Sequence, residues 1–271
     1  MSTSPPQSST ADAVIDALAA GADELVPVAE GLTAQQLRAH TRPGEWSSAA
    51  VLSHLGSGAV IALAGLEAAL TGEAYAGFAG NQPVWDEWNA MEPEEQRDGF
   101  VEANATLQSR YAAIDPDTRR TLRVDLGFLP APVDLATAAC FRLNELALHS
   151  WDLRVARDPE AQVQQDAVPL LLESLLPMMV GWLGKGERHA GPAVSLAVSL
   201  VDPEGELGLE IAPGGVTLGV VPEAPDGVLT IPAEAFLRLL TGRLDAAHTP
   251  AGIGVIGPVD LDALRAVFPG F

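Results

Sequence analysis

The sequence predicts a two-domain α+β protein: a four-helix bundle over residues 11–160, then a smaller α+β domain over 161–271 with a mainly antiparallel sheet. Three observations predict it. At 271 residues the chain exceeds the usual length of one domain. Its first part spaces apolar residues at helical intervals, with cap residues at the breaks. From Pro192 onward the texture changes to short, partly alternating runs separated by Pro, Gly and Asp, which read as strands and turns.

The elements follow in order. "MSTSPPQSSTAD" carries neither basic charge nor an apolar stretch, so it reads as a short disordered lead-in rather than a secretory signal. Val14, Leu18, Ala22 and Leu25 keep helical spacing through residues 11–30. "TRPGEW" makes a turn, and Ser47 is placed to cap a long helix that ends before Thr71-Gly72. A Gly- and aromatic-rich loop is expected over residues 72–89. "EPEEQRDGFVEANATLQSRYAAI" opens with acidic residues and Pro93, as a helix N-terminus should, and stops at "DPDT". After an irregular patch, "RTLRVDLGFLPAP", a fourth helix runs from near Asp134 to about Asp158. Four long helices joined by loops suggest a bundle. A further helix, "DAVPLLLESLLPMMVGWL", leads into "AVSLAVSLVD", "ELGLEIAP", "GVTLGVV" and "GVLTIP", read as strands. "AEAFLRLLTGR" is a helix closed by Gly242, and the chain ends in a short helix within "PVDLDALRAVFPGF".

Composition narrows the function classes. The net charge is −21, from 36 acidic and 15 basic residues, and Lys185 is the one lysine. Such a field repels nucleic acid and anionic membrane surfaces, so neither is an expected partner. No unbroken run of about 18 apolar residues stands out as a membrane span. A single cysteine, Cys140, excludes an internal disulfide framework and a Cys-rich zinc module, and a cytoplasmic protein is expected. Cys140 itself reads as a small buried apolar residue.

The chemistry lies in "RLNELALHSWDL", residues 142–153. On a helix, Glu145 and His149 share one face, one turn apart. A carboxylate and an imidazole so spaced can bind one divalent ion; they can equally be a solvent-facing pair. His54 follows Val51 and precedes Gly58 and Ile61, on a face that points inward. A single histidine there is either a satisfied core residue or a third ligand supplied from a facing helix. Three ligands leave a fourth position for a substrate, which suggests catalysis. Gly56 and Gly58 would leave room near the ion. His40, His189 and His248 fall in turns and loops and read as solvated. No Ser–His–Asp spacing, phosphate-binding glycine loop or nicotinamide fingerprint is present.

"RPGEWSSAAVLSHL" and "RLNELALHSWDL" together resemble the two motifs of the mycothiol-dependent maleylpyruvate isomerase family, within the DinB-like metalloenzymes. "AEAFLRLLTGR" and the closing "FPGF" are similar to that family's C-terminal domain. The resemblance implies a catalytic zinc on His54, Glu145 and His149, with mycothiol as thiol cosubstrate. It implies a role for Arg243 as a catalytic and thiol-binding residue that clamps an oxygen of the substrate or of the thiol. A helix C-terminal arginine facing its dipole is the other reading of that residue. Asp152 could orient His149, or reach solvent. Trp46 and Trp151 are expected to pack the bundle. The family's isomerases use a basic residue after the second helix to hold a dicarboxylate; residues 71–91 contain no Arg or Lys, which points to a less anionic substrate.

The expected function is therefore that of a zinc enzyme that activates mycothiol, or a similar low-molecular-weight thiol, for addition to a small-molecule electrophile. Cis–trans isomerisation and S-transfer are both open. Nickel, iron or copper also suits these ligands. A monomer or homodimer is expected. A non-catalytic metal- or small-ligand-binding protein of the same fold is the alternative.

Overall fold

The structure, a computed structural model, describes residues 11–42, 44 and 46–270. The expected disordered lead-in falls, except for Ala11 and Asp12, outside the described residues; those two already belong to the first helix. Contacts divide the chain into two units, one ending at Ala167 and the next beginning at Val168.

The first unit is built on four long helices: α1 (Ala11–Glu30), α3 (Ser48–Thr71), α5 (Pro93–Ala112) and α7 (Leu135–Val155), with a one-turn α2 (Ala34–Leu37) between the first two. α1 packs on α7 and α5, and α3 packs on α5 and α7, so the four close into a bundle. Leu18 and Leu25, Leu52 and Leu55, Phe100 and Leu107, and Leu143 and Trp151 are fully buried. Each such side chain contributes about 1.5–3 kcal/mol by leaving water. The ends are set locally. Ser47 Oγ accepts the Ala50 N–H at 3.1 Å, Asp134 Oδ1 accepts the Thr137 N–H at 2.8 Å, and Gly72 takes φ 75° to close α3.

Some details depart from expectation. α3 is long and apolar enough to cross a bilayer by length and composition, because small Ala, Gly and Ser positions are interspersed with Leu, Val and Ile. Here it packs on α4, α5 and α7. The stretch expected as a loop over 72–89 holds a 3₁₀ turn (Phe78–Asn81) and helix α4 (Gln82–Ala90). Pro83 suits the first turn of that helix, where no N–H is needed, and buried Trp88 anchors it against Gly56 and Gly99. The region between α5 and α7, around the expected irregular patch, holds α6 (Pro116–Thr121), capped by Asp115, and a two-stranded antiparallel pair, β1 (Arg123–Val124) with β2 (Val133–Asp134). The single helix expected after the bundle is two, α8 (Ala167–Ser174) and α9 (Leu176–Leu183). Pro177 explains the break, since it lacks an N–H and its ring excludes the carbonyl four residues back.

The second unit is organised by a five-stranded sheet in the order β5-β4-β3-β6-β7. Its strands are β3 (Val194–Val201), β4 (Gly205–Ala212), β5 (Gly215–Gly219), β6 (Gly227–Pro232) and β7 (Gly254–Ile256). Every pairing is antiparallel except β3 with β6. Val194, Leu196, Val198 and Leu200 of β3 alternate inward. Helix α10 (Ala233–Leu240) is buried along its whole length, and α11 (Leu261–Val267) ends the described chain. β7 was not expected; three residues flanked by glycine leave no alternation to read. Gly242, at φ 72°, lies so close to Gly270 that an added Cβ would sit 2.2 Å from the Gly270 nitrogen.

Candidate metal centre and its cavity

The site in the helical unit grows from two apolar stripes. On α3, His54, Gly58, Ile61 and Gly65 recur every three or four residues; on α7, Leu135, Ala138, Arg142 and Glu145 do the same. Both stripes line one cavity of about 360 Å³, within the range of small-molecule sites. Tyr111 of α5, Phe78 and Trp85 from the connection after α3, and Phe128 complete an apolar wall.

His54 and Glu145, both in the cavity lining, come together with His149, each offering a ligand atom, all within 4.8 Å of one another. His54 Nε2 lies 2.7 Å from Glu145 Oε2, and His149 Nε2 lies 3.6 Å from the same oxygen. Ligand atoms around a tetrahedral zinc stand ~3.3 Å apart, a spacing these two distances bracket. Burial pushes the Glu145 carboxyl up, but the His54 hydrogen bond, the electrostatic pull of the neighbouring His149 and His54 and the Asn144 amide at 3.2 Å outweigh it and hold it at about 2. It is therefore a carboxylate at neutral pH. The donor set, two imidazoles and one carboxylate, suits a divalent transition metal, and the residues could hold such an ion.

The surroundings fix the ligands. Asp152, 1% exposed, places Oδ2 2.8 Å from His149 Nδ1. A carboxylate there accepts the Nδ1 proton and leaves Nε2 as the free lone pair facing Glu145. The Thr41 hydroxyl donates to the Asp152 backbone carbonyl, tying the turn before α3 to α7. That turn is closed by Thr41 N–H to Trp46 O at 2.9 Å and Ser48 N–H to Ala39 O at 3.0 Å. Trp46 consequently stacks on His149, with centroids 5.7 Å apart and planes 17° from parallel, and tilts against His54 at 5.2 Å. Trp46 was expected only to pack the bundle; it covers the ligand rings. Trp151 does pack, fully buried, with Nε1 donating to Ala161 O at 2.8 Å.

Gly56 does not open space near the cluster as expected. A Cβ there would meet the Trp88 ring at 2.1 Å, so Gly56 accommodates α4. Gly58 does face the cavity, and a Cβ would lie 3.1 Å from Arg142 Nη1. Arg142 is the residue that the spacing arguments passed over. It lies three positions before Glu145, hence on the same helix face, and is 5% exposed. Cys140 is buried, and burial pushes its thiol up to about 12, leaving it an inert packing group. Of the other histidines, His40 is exposed. His189 and His248 are half-buried rather than solvated, bonded to Pro192 O at 2.9 Å and Asp245 Oδ1 at 2.8 Å. Arg243 belongs to the second unit, just after α10, where its N–H donates to Arg238 O at 2.7 Å and its Nη1 to Thr241 O at 3.3 Å.

A helical bundle that brings a His–Glu–His cluster beside an apolar cavity is a framework that could hold a metal ion. Residues 18–154 match the profile of the mycothiol maleylpyruvate isomerase N-terminal domain, and the chain belongs to that family. Two solved structures share its fold. One is the crystal structure of the mycothiol-dependent maleylpyruvate isomerase, with a TM-score of 0.64 at 13% identity, covering 95% of this chain and 98% of that one. The other is a histidine-to-alanine mutant of that isomerase, with a TM-score of 0.63 at 13% identity and the same coverage. At such identity the likeness is one of fold. No curated protein matches the sequence.

Proposed function

We propose that this protein is a metal-dependent thiol enzyme, with zinc the favoured ion, that activates mycothiol or a similar small thiol for addition to an electrophile. The outcome is cis–trans isomerisation of an activated double bond or transfer of the thiol sulfur to carbon. The observation that carries this reading is the convergence of three ligand atoms within 4.8 Å beside an apolar cavity. Membership of an isomerase family supports an enzyme over a binding protein.

His54, Glu145 and His149 would hold the ion, which when bound supplies Lewis acidity that keeps a coordinating thiol deprotonated at neutral pH. Asp152 holds the His149 tautomer that presents Nε2. Trp46 shields the two imidazoles on one side, and the apolar wall excludes water around the electrophile. Arg243 is proposed to clamp an oxygen of the thiol or the substrate.

Metal analysis of purified protein is expected to find about one divalent ion per chain. His54→Ala should remove most of it, together with any thiol-dependent consumption of a chlorobimane-type or maleyl electrophile. Metal-free protein with His54→Ala indistinguishable from wild type would sink the enzyme reading in favour of a ligand-binding protein.

A further inference from the structure

Arg142 is a cation without a local reason to be where it is. Its side chain is 95% removed from solvent on α7, yet Nε and Nη2 have no hydrogen-bond partner among the described residues. Leaving buried donors unmade is costly, and more so on a charged group. Such a cost is tolerated where a ligand completes the bonds.

Nε–H and Nη2–H are the pair of donors that points along one edge of a guanidinium, the edge that takes a planar carboxylate with two parallel bonds. The second unit of this same chain shows that edge in use. Arg238 gives Nε to Glu234 Oε2 at 2.8 Å and Nη2 to Glu234 Oε1 at 2.7 Å. The two bonds that Arg238 makes to a glutamate are unmade on Arg142, whose side chain lines the cavity.

We propose that Arg142 is the carboxylate receptor of this cavity, and that the molecule it admits is a small apolar compound bearing a single carboxylate. The single charge follows from the lining. Arg142 is the one cationic side chain among the described residues around the cavity, whereas Asp125 and Glu145 are both acidic. A second carboxylate on the ligand would find no cation to meet it. The body of the ligand faces Ile61, Leu66, Phe78, Trp85, Tyr111 and Phe141, which offer apolar contact. Burial lowers the guanidinium to about 10, with the charges of Glu145 and Tyr111 opposing the fall, so it stays protonated at neutral pH. Because Arg142 sits one turn before Glu145 on the same face, an anchored carboxylate lies beside the His54–Glu145–His149 cluster. The inference names the substrate class of the proposed enzyme and rests on that reading for catalysis, but not for binding.

The test is calorimetric titration of the full-length protein, as purified and after chelator treatment, with phenylacetate, phenylacetamide and phenylmalonate. Wild type should bind phenylacetate at least about tenfold more tightly than the isosteric amide, and phenylmalonate no more tightly than phenylacetate. Arg142→Met should abolish the preference for the acid while weakening amide binding far less, since the amide can accept only one uncharged bond; retained amide binding also reports that the cavity has folded. Arg142→Lys should keep only part of the preference, because an ammonium cannot form the two-bond fork. Equal binding of acid and amide, or a preference that survives Arg142→Met, overturns the proposal. A preference that disappears with the metal but survives Arg142→Met places the carboxylate on the ion and overturns it as well. If the acid preference follows Arg142 but no thiol-dependent turnover exists, the receptor stands and the enzyme reading falls.

Discussion

Arg142 and Arg238 occupy comparable positions, each on a helix, 5% and 3% exposed, and the two units of the protein use them in opposite ways. Arg238 is satisfied within its own unit. Glu234 takes one edge of its guanidinium and the His248 carbonyl takes Nη1 at 2.7 Å. Arg142 has no ion pair at bonding distance and two unused donors among the described residues. A buried charge that is fully paired belongs to the architecture, since removing its partner strands the other charge. A buried charge left open is a cost to the fold, and its return has to come from something that binds.

Arg238→Met should therefore be the more damaging change. It removes the guanidinium that both Glu234 carboxylate oxygens bond, and denaturation of the full chain should show a loss of about 3–5 kcal/mol in the second unit. Adding Glu234→Leu to it should restore most of that loss. Arg142→Met should instead leave stability at or above wild type, since it removes donors that nothing satisfies. Should both variants lose stability equally, the contrast between the two arginines would disappear, and Arg142 would be structural.

Asp152 extends the comparison to a buried anion. It is as enclosed as Arg238, yet its partner is the ligand His149 rather than a residue of the architecture alone. Asp152→Asn keeps the volume but turns an acceptor into a group that can donate, so the His149 tautomer loses its anchor. Metal affinity, measured by competition with a chromophoric chelator, should fall about 10- to 100-fold while the protein still folds. An unchanged affinity would remove Asp152 from the proposed machinery.

The sequence made the ligand cluster legible because Glu145 and His149 obey the four-residue helical repeat and His54 falls on an apolar face. The bundle and the antiparallel sheet were legible for the same reason, periodic burial with caps at the breaks. Trp46 was not, because its stacking on His149 depends on a turn that folds back onto α7 through Thr41 and Asp152, a contact 111 positions apart in sequence. Helix α4 was hidden by the Gly, Asn and Pro residues around it, and only the burial of Trp88 shows why it forms. Arg142 lies on the same face as Glu145 and was not singled out, because spacing alone cannot tell whether a charge one turn from a carboxylate is paired with it. The absence of bonding at its Nε and Nη2 among the described residues is a property of three-dimensional structure.

Two glycines, two positions apart on α3, carry the comparison to its finest grain. Both were expected to open space near the ion, but they face different neighbours. Gly56 meets the Trp88 ring, and a Cβ at 2.1 Å from an indole carbon held under α4 cannot be absorbed, so Gly56→Ala should destabilise by about 1–3 kcal/mol despite alanine's better helix propensity. Gly58 meets the end of the Arg142 side chain at 3.1 Å, a contact that a shift of a few tenths of an ångström relieves. Gly58→Ala should thus gain the ~0.5–1 kcal/mol that alanine brings to a helix interior, or lose little of it. Its effect should appear in the ligand instead. A displaced guanidinium meets a carboxylate at poorer angles, so phenylacetate affinity should fall by roughly 2- to 10-fold, a loss within the energy of one hydrogen bond to a charged group. Phenylacetamide, which can accept only one bond from the fork and carries no charge, should weaken less. If acid and amide weaken equally, the new methyl is filling the cavity itself rather than moving Arg142, and Gly58 contributes volume to the site and no control over its receptor.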